Sequence, residues 1–347
     1  MDSDKKYMAR CLEIARAGAG FVAPNPLVGC VIVHDDRIIG EGFHHKFGGA
    51  HAEVLAIESV RNKDLLSNST LYVNLEPCSH YGKTPPCANL IVNSKIPRVV
   101  IGQKDPNPKV NGNGIRFLED AGLTVTFGVL EEDAKQINVR FNTFIEKKRP
   151  FVILKWAKTL DGFIDIDRNG PNRGADNWIT NARLKMLVHK WRTEEDAILI
   201  GTNTALNDNP QLNVREWVGR NPLRLVIDEF GQLPESLNVF DGTQNTIAYT
   251  GNPKTFNSNV EYCTLDFNLN IIPQILNDLY TRSIQSVIVE GGKELLEGFI
   301  ESGLWDEARI LTGRKVFGSG LLGPNIEGIE ISNDILDSNY LKVFKNC

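Results

Sequence analysis

The sequence predicts an α/β fold in two domains. Strand-like apolar runs alternate with amphipathic helical runs along both halves of the chain. The length of 347 residues exceeds what one ordinary hydrophobic core organises. A charged run ending in proline, Glu146-Lys147-Lys148-Arg149-Pro150, separates the halves as an exposed linker would. The expected domains are 1–146 and 150–347.

In the first half, Met8, Cys11, Leu12 and Ala15 recur at helical spacing and predict a helix over Tyr7 to Ala17. Val28 to Val33 and Arg37 to Gly42 read as a hairpin around His34-Asp35-Asp36. A helix starting near His51 is expected to turn Val54, Leu55 and Ile57 to the core. Leu71 to Leu75 is a strand running into a cysteine-bearing loop. Cys87 to Ser94 then reads as helix, Arg98 to Ile101 as strand and Gly114 to Ala121 as helix. The second half offers strands at Phe151 to Ala157, Ala197 to Ile200, Leu223 to Ile227, Thr246 to Tyr249, Ser286 to Val289 and Ala308 to Thr312. Its clearest helices are Asn181 to Arg192 and Lys293 to Ser302. There is no internal repeat and no low-complexity tract.

Net charge of -5 and a pI near 5.8 argue against a surface built to neutralise nucleic acid. The N-terminus carries charges where a signal peptide needs an apolar run, and no stretch approaches the length of a membrane span. A cytoplasmic protein with a small-molecule substrate and no nucleic-acid or membrane partner is expected. A homo-oligomer is compatible with the sequence. The six cysteines do not form a disulfide framework in a chain this long. Cys78 and Cys87 cluster with a histidine motif, whereas Cys11, Cys30, Cys263 and Cys347 are scattered.

That cluster is the most informative feature of the chain. His51-Ala52-Glu53 is followed by Pro77-Cys78 and then Cys87. One imidazole and two thiolates give zinc three ligands and leave a fourth position open to water. Structural zinc sites usually have four protein ligands, for which His80 is the nearby candidate. The three-ligand, catalytic reading is favoured. Glu53, two residues from the histidine, is placed to shuttle protons without binding metal. Pro77 and Pro85-Pro86 precede the cysteines, a placement suited to helix N-termini that favour thiolate. An H-x-E motif followed by P-C marks zinc nucleobase deaminases, although here eight residues separate the cysteines in place of two.

Pro24-Asn25-Pro26-Leu27-Val28-Gly29, His51-Ala52-Glu53 and the run from Glu76 to Cys87 resemble the bifunctional deaminase/reductase family of riboflavin biosynthesis. The likeness extends through the second half, in Thr159-Leu160-Asp161-Gly162, Trp178-Ile179-Thr180, Gly201 to Pro210 and Leu212-Asn213-Val214-Arg215. The resemblance implies an N-terminal cytidine-deaminase-like α/β/α domain and a C-terminal α/β domain similar to dihydrofolate reductase. It implies hydrolytic deamination of a diaminopyrimidinone ribosylamino 5′-phosphate, then NADPH reduction of the ribosyl group to ribityl. By the same resemblance, one zinc is held by His51, Cys78 and Cys87, with Glu53 as shuttle. Asn25, His44, His80, Lys83, Asp105 and Asn107 match positions lining the deaminase pocket. Asp105 and Asn107 also suit an ordinary turn.

No G-x-G-x-x-G follows a strand, so a Rossmann fingerprint is absent. Instead Val289-Glu290-Gly291-Gly292-Lys293 joins a strand to a helix through paired glycines. That junction admits phosphate to backbone N–H groups or is simply a tight turn. The resemblance assigns nicotinamide-cofactor contacts to Ala157, Trp178, Thr204, Asp208, Gly292, Lys293, Glu294, Leu295, Leu296, Glu297 and Gly298. It assigns substrate contacts to Thr159, Asp176, Arg192, Leu212, Arg215 and Glu290. Arg192 and Arg215 suit the 5′-phosphate as guanidinium forks. Lys155 and Asp208 are the candidates for proton handling. Two other readings compete, a nucleic-acid-editing deaminase and a zinc-stabilised binding protein. The first needs a basic, aromatic-lined surface and the second a dispensable Glu53.

Overall fold

The computed structural model describes residues 2–79, 86–108, 110–168, 177–252 and 260–347. The chain divides into two compact units, Met1–Lys148 and Arg149–Cys347.

The first unit contains α1 (Asp2–Ala15), β1 (Gly29–His34), β2 (Arg37–Phe43), α2 (Ala52–Ser59), β3 (Thr70–Leu75), α3 (Cys87–Asn93), β4 (Arg98–Gln103), α4 (Asn113–Asp120), β5 (Thr124–Phe127), α5 (Glu131–Ile137) and α6 (Val139–Lys147). Its sheet runs β2-β1-β3-β4-β5, antiparallel across β2-β1-β3 and parallel across β3-β4-β5. The β1-β2 turn places Asp35 and Asp36 at φ of 47° and 57°, the left-handed pair that a two-residue hairpin loop requires. Alternate residues of β1 serve two cores. Cys30 and Ile32 pack with α2, α3 and α4, whereas Val31 and Val33 pack with Tyr7, Met8 and Cys11 of α1. Helices on both faces explain why the central strands are apolar throughout. The α2 helix lies directly on β2. A Cβ on Gly42 would stand 2.5 Å from the Ala56 nitrogen, so glycine is needed there.

The second unit contains β6 (Phe151–Lys158), β7 (Phe163–Asp165), α7 (Ala182–Glu194), β8 (Ala197–Ile200), α8 (Thr202–Asp208), β9 (Leu223–Ile227), β10 (Thr246–Thr250), β11 (Val260–Thr264), α9 (Ile271–Thr281), β12 (Ser286–Val289), α10 (Lys293–Glu301), β13 (Glu307–Thr312), β14 (Leu321–Leu322), β15 (Ile329–Leu336) and β16 (Asn339–Lys345). Nine strands run β11-β10-β9-β8-β12-β6-β13-β16-β15. The first seven are parallel, and β16 and β15 close the edge antiparallel. One core joins Val152, Leu154, Leu199 and Leu225 of the sheet to Ile275, Leu279, Leu296 and Phe299 of α9 and α10.

Three expectations need correction. The run Glu146–Pro150 is not a free linker: Glu146 and Lys147 end α6, Pro150 is buried, and Arg149 pairs bidentately with Asp306 at 2.5 and 2.8 Å. On α2 the buried residues are Ala52, Glu53, Ala56 and Ile57, with Val54 and Leu55 half-buried, because the tight approach to β2 admits small side chains. Cys87 begins a helix as expected, but Cys78 lies in an irregular segment beyond β3. Among the described residues no helix is long and apolar enough to cross a membrane.

Candidate active sites

In the first unit, three separate elements bring the metal-type ligands together. His51 is the N-cap of α2, Cys87 is the first residue of α3 after Pro86, and Cys78 follows β3. Their ligand atoms lie within 4.8 Å of one another. His51 Nδ1 is 3.2 Å from Cys87 Sγ and 3.7 Å from Cys78 Sγ. Tetrahedral zinc with Zn–N and Zn–S bonds of about 2.0 and 2.3 Å needs an N···S edge of about 3.6 Å. The donor set therefore fits zinc in both chemistry and spacing. The Cys87 backbone N–H also donates to Cys78 Sγ at 3.3 Å. Hydrogen bonding from Cys87, with help from His51, pushes the Cys78 thiol down to about 4. In the first turn of α2, Glu53 is 4% exposed, and burial followed by the nearby Cys78 raises its carboxyl above the ordinary range.

The neighbouring loops are equally constrained. His44 Nδ1 is 2.9 Å from the Ala50 carbonyl, which can only accept. Nδ1 must then carry the proton, leaving Nε2 to accept from Asn25 Nδ2 at 3.0 Å. Burial lowers the pKa of His44, consistent with a neutral ring, and its edge meets the His51 ring at 5.8 Å between centroids. The segment after Asn25 is clamped by Asn138, whose amide pairs with both Leu27 N–H and Leu27 C=O, and by Asn74, which bonds Leu27 C=O and Gly29 N–H. Asp105 accepts from Asn107 N–H at 2.8 Å, so the turn role is present beyond the end of β4. His80 and Lys83 lie outside the described residues.

Sequence reasoning does not single out Glu76. Its buried carboxylate accepts N–H bonds from Asp105, Gly112, Gly114 and Ile115 at 2.9 to 3.3 Å. The Asp105–Ile115 segment is thereby tied to the strand end that leads into Cys78. A carboxylate directly before Pro-Cys, at the end of an apolar strand, was the available signal.

In the second unit, a cavity of about 1730 Å³ opens at the carboxyl ends of the parallel strands. It is lined by Ala157, Trp178, Thr204, Asp208 and the Gly292–Gly298 run. Lys155, Arg192, Leu212, Arg215 and Glu290 line it as well. A Cβ on Gly292 would stand 3.2 Å from Thr204 Oγ1, and Gly291 sits at φ 115°. The Gly201 N–H donates to the Gly291 carbonyl at 2.8 Å. These glycines leave an open backbone cradle beside a hydroxyl, at the start of the nine-residue α10. That suits a dinucleotide pyrophosphate.

Glu290 accepts two bonds from Arg192, at 2.9 and 2.8 Å, and one from Lys155 at 3.4 Å. Burial pushes its carboxyl up, but Arg192 and Lys155 outweigh that and hold it at about 2. Arg192 also donates from Nη1 to the Asn213 carbonyl, so three of its five N–H donors are engaged within the protein. Arg215 is more exposed, with Nη1 on Asn213 Oδ1. Thr159 does not line the cavity: it is fully buried and its hydroxyl accepts from Phe163 N–H, closing the β6-β7 turn. Asp208 is ion-paired with Arg168 at 2.6 Å. Asp176 lies outside the described residues. His189, which the sequence reading passes over, also lines the cavity three residues before Arg192. Burial, then Arg192 and Arg215, push its pKa down to about 4.

Both units match known protein families. Residues 1–103 match the cytidine and deoxycytidylate deaminase zinc-binding region, and residues 150–341 match the RibD C-terminal domain. The chain is 38% identical to riboflavin biosynthesis protein RibD of Aquifex aeolicus, over 92% of this chain and 89% of that protein. It is 37% identical to RibD of Bacillus amyloliquefaciens, over 98% and 93%. A Thermotoga maritima structure described as a diaminohydroxyphosphoribosylaminopyrimidine deaminase/5-amino-6-(5-phosphoribosylamino)uracil reductase superposes with a TM-score of 0.91, at 41% identity, covering 100% of this chain and 99% of that one. Acinetobacter baumannii RibD superposes at 0.88 with 29% identity, covering 100% and 99%. With His51, Cys78 and Cys87 gathered as a possible metal site in one unit and a cavity of about 1730 Å³ in the other, the chain belongs to the RibD family of bifunctional riboflavin-biosynthesis deaminase/reductases.

Proposed function

We propose that residues 1–146 deaminate a diaminopyrimidine ribosylamino 5′-phosphate and residues 150–347 reduce its ribosyl group to ribityl. The observation that carries the first step is the meeting of His51, Cys78 and Cys87 within 4.8 Å, beside the buried Glu53. Zinc bound by those three residues supplies a Lewis acid that makes water nucleophilic at neutral pH. Glu53 would take one proton from the attacking water and pass it to the ring nitrogen. It would then take the second from the hydroxyl so formed and pass it to the amine as the C–N bond breaks and the carbonyl forms. Its burial favours the protonated form and so suits it to each transfer. Asn25 and the neutral His44 line the pocket as one hydrogen-bonded pair. Asp105 and Asn107, fixed through Glu76, meet the pyrimidine or ribose.

In the second unit NADPH supplies the hydride. The glycine cradle and Thr204 hold its pyrophosphate, and Ala157 and Trp178 flank the nicotinamide end. Arg215 reads the substrate phosphate. Arg192 holds Glu290, and Glu290 in turn holds Lys155, the group we assign to proton handling as the ribose opens. Asp208, tied to Arg168, is left with a cofactor contact.

The test is an assay with the diaminopyrimidine phosphate, with and without NADPH, following ammonia and product mass. Native protein should release ammonia without NADPH and add two hydrogens only with it. Glu53→Gln should keep its zinc yet lose deamination by about 10²-fold or more, while still reducing pre-deaminated substrate. Deamination by this variant at the native rate would remove Glu53 from the mechanism.

A further inference from the structure

One face of α7 lines the cavity of the second unit. Lys185, Val188, His189 and Arg192 recur there at helical spacing. The segment that carries Arg215 is laid against this face by two bonds, about one helical turn apart on α7. Arg192 Nη1 donates to the Asn213 carbonyl at 3.1 Å, and Arg215 N–H donates to His189 Nδ1 at 3.4 Å. A backbone N–H can only donate, so Nδ1 must accept and the proton of the neutral ring sits on Nε2. Burial, then Arg192 and Arg215, hold His189 down to about 4, so the ring is neutral at pH 7. The nitrogen it can still offer a ligand is therefore a donor.

The charges around that donor call for an anion. Arg192 and Lys155 share one carboxylate, Glu290, and Lys185 pairs with Glu216 at 2.9 Å. Arg215 makes no ion pair among the described residues, and its Nη1 rests on the Asn213 amide oxygen at 3.0 Å. These four cations and two carboxylates leave two positive charges in excess, close to what a phosphate monoester neutralises near pH 7. A neutral N–H beside two guanidiniums adds a hydrogen bond to that anion without adding to their mutual repulsion.

We propose that His189 reads the substrate's 5′-phosphate together with Arg215, donating its Nε2–H to a phosphate oxygen. The proposal rests on the phosphate role given to Arg215 above. Two amide side chains separate the ring's two nitrogens. Asn can set its oxygen where Nδ1 stands and keep the bond to Arg215 N–H, but it is too short to reach the Nε2 position. Gln reaches that position with an N–H. Reductase kinetics of full-length His189→Asn and His189→Gln are compared on pre-deaminated substrate and on its dephosphorylated analogue. His189→Asn should raise KM for the phosphorylated substrate about tenfold, the size of one hydrogen bond to a charged group, and leave kcat within about twofold. His189→Gln should stay within about threefold of the native KM, and both variants should turn over the dephosphorylated analogue within about twofold of native. All five tryptophans (156, 178, 191, 217 and 305) belong to the second unit, so their emission checks that each variant is folded there. A native KM in His189→Asn, or a His189→Gln no better than His189→Asn, would overturn the proposal and leave His189 as a support for the Arg215 backbone. Equal losses on both substrates would overturn it too. Native protein that used the two substrates equally well would instead overturn the phosphate role of Arg215, and this proposal with it.

Discussion

Glu290→Gln removes the one negative charge from a buried cluster that then holds two cations. The side chains of Glu290, Arg192 and Lys155 are 8, 10 and 14% exposed, so water cannot take the place of the lost charge. Breaking such a pair costs about 3–5 kcal/mol. Linkage gives a similar figure: holding the carboxyl at about 2 rather than its ordinary 4.5 is worth about 3 kcal/mol at 1.36 kcal/mol per pH unit. The folded value is depressed, so the contribution is complete above about pH 4.5 and is lost as pH falls toward 2. Less than half of it should remain at pH 3. Urea unfolding followed by tryptophan emission reads the second unit selectively. With a slope of about 2 kcal/mol/M, the variant's midpoint should fall by roughly 1.5 M at pH 7. The gap between variant and native should shrink by about half at pH 3. A fall below about 0.3 M at pH 7, or a gap that does not change with pH, would refute the electrostatic account.

Other outcomes follow from the two sites. Purified protein should carry about one zinc per chain by mass spectrometry, and Cys78→Ser or His51→Ala should lower that sharply; full occupancy in both would displace the ligand assignment. Gly292→Val places branched carbon against Thr204 Oγ1, already 3.2 Å from a bare Cβ, and should weaken NADPH binding at least about tenfold while ammonia release continues. Arg215→Ala should raise the reductase KM for phosphorylated substrate about 30-fold, from loss of a charge-assisted pair of about 2 kcal/mol. Its effect on the dephosphorylated analogue should be small.

The sequence by itself determined the chemistry of the first site. Zinc ligation depends on residue type, and His51, Cys78, Cys87 and Glu53 announce themselves through identity and short spacing. The alternating pattern likewise reveals β1, β3, β6 and β8, because strands covered by helices on both faces must be apolar along their length. Elements with weaker periodicity escaped it, among them α5, α6 and the β15-β16 hairpin. That hairpin's strand β15 is largely exposed and lacks the apolar alternation that marks a half-buried strand.

Tertiary structure decided how the charges are spent. Nothing local distinguishes Arg192 from Arg215, yet folding delivers Glu290, 98 residues away, onto Arg192 and leaves Arg215 nearer solvent. It also makes Thr159 a turn fastener and Asn138 the clamp on Leu27 across 111 residues. A hydrogen-bonding side chain takes whichever partner the fold brings within about 3 Å. That partner depends on strand order and helix placement, which no window of sequence contains.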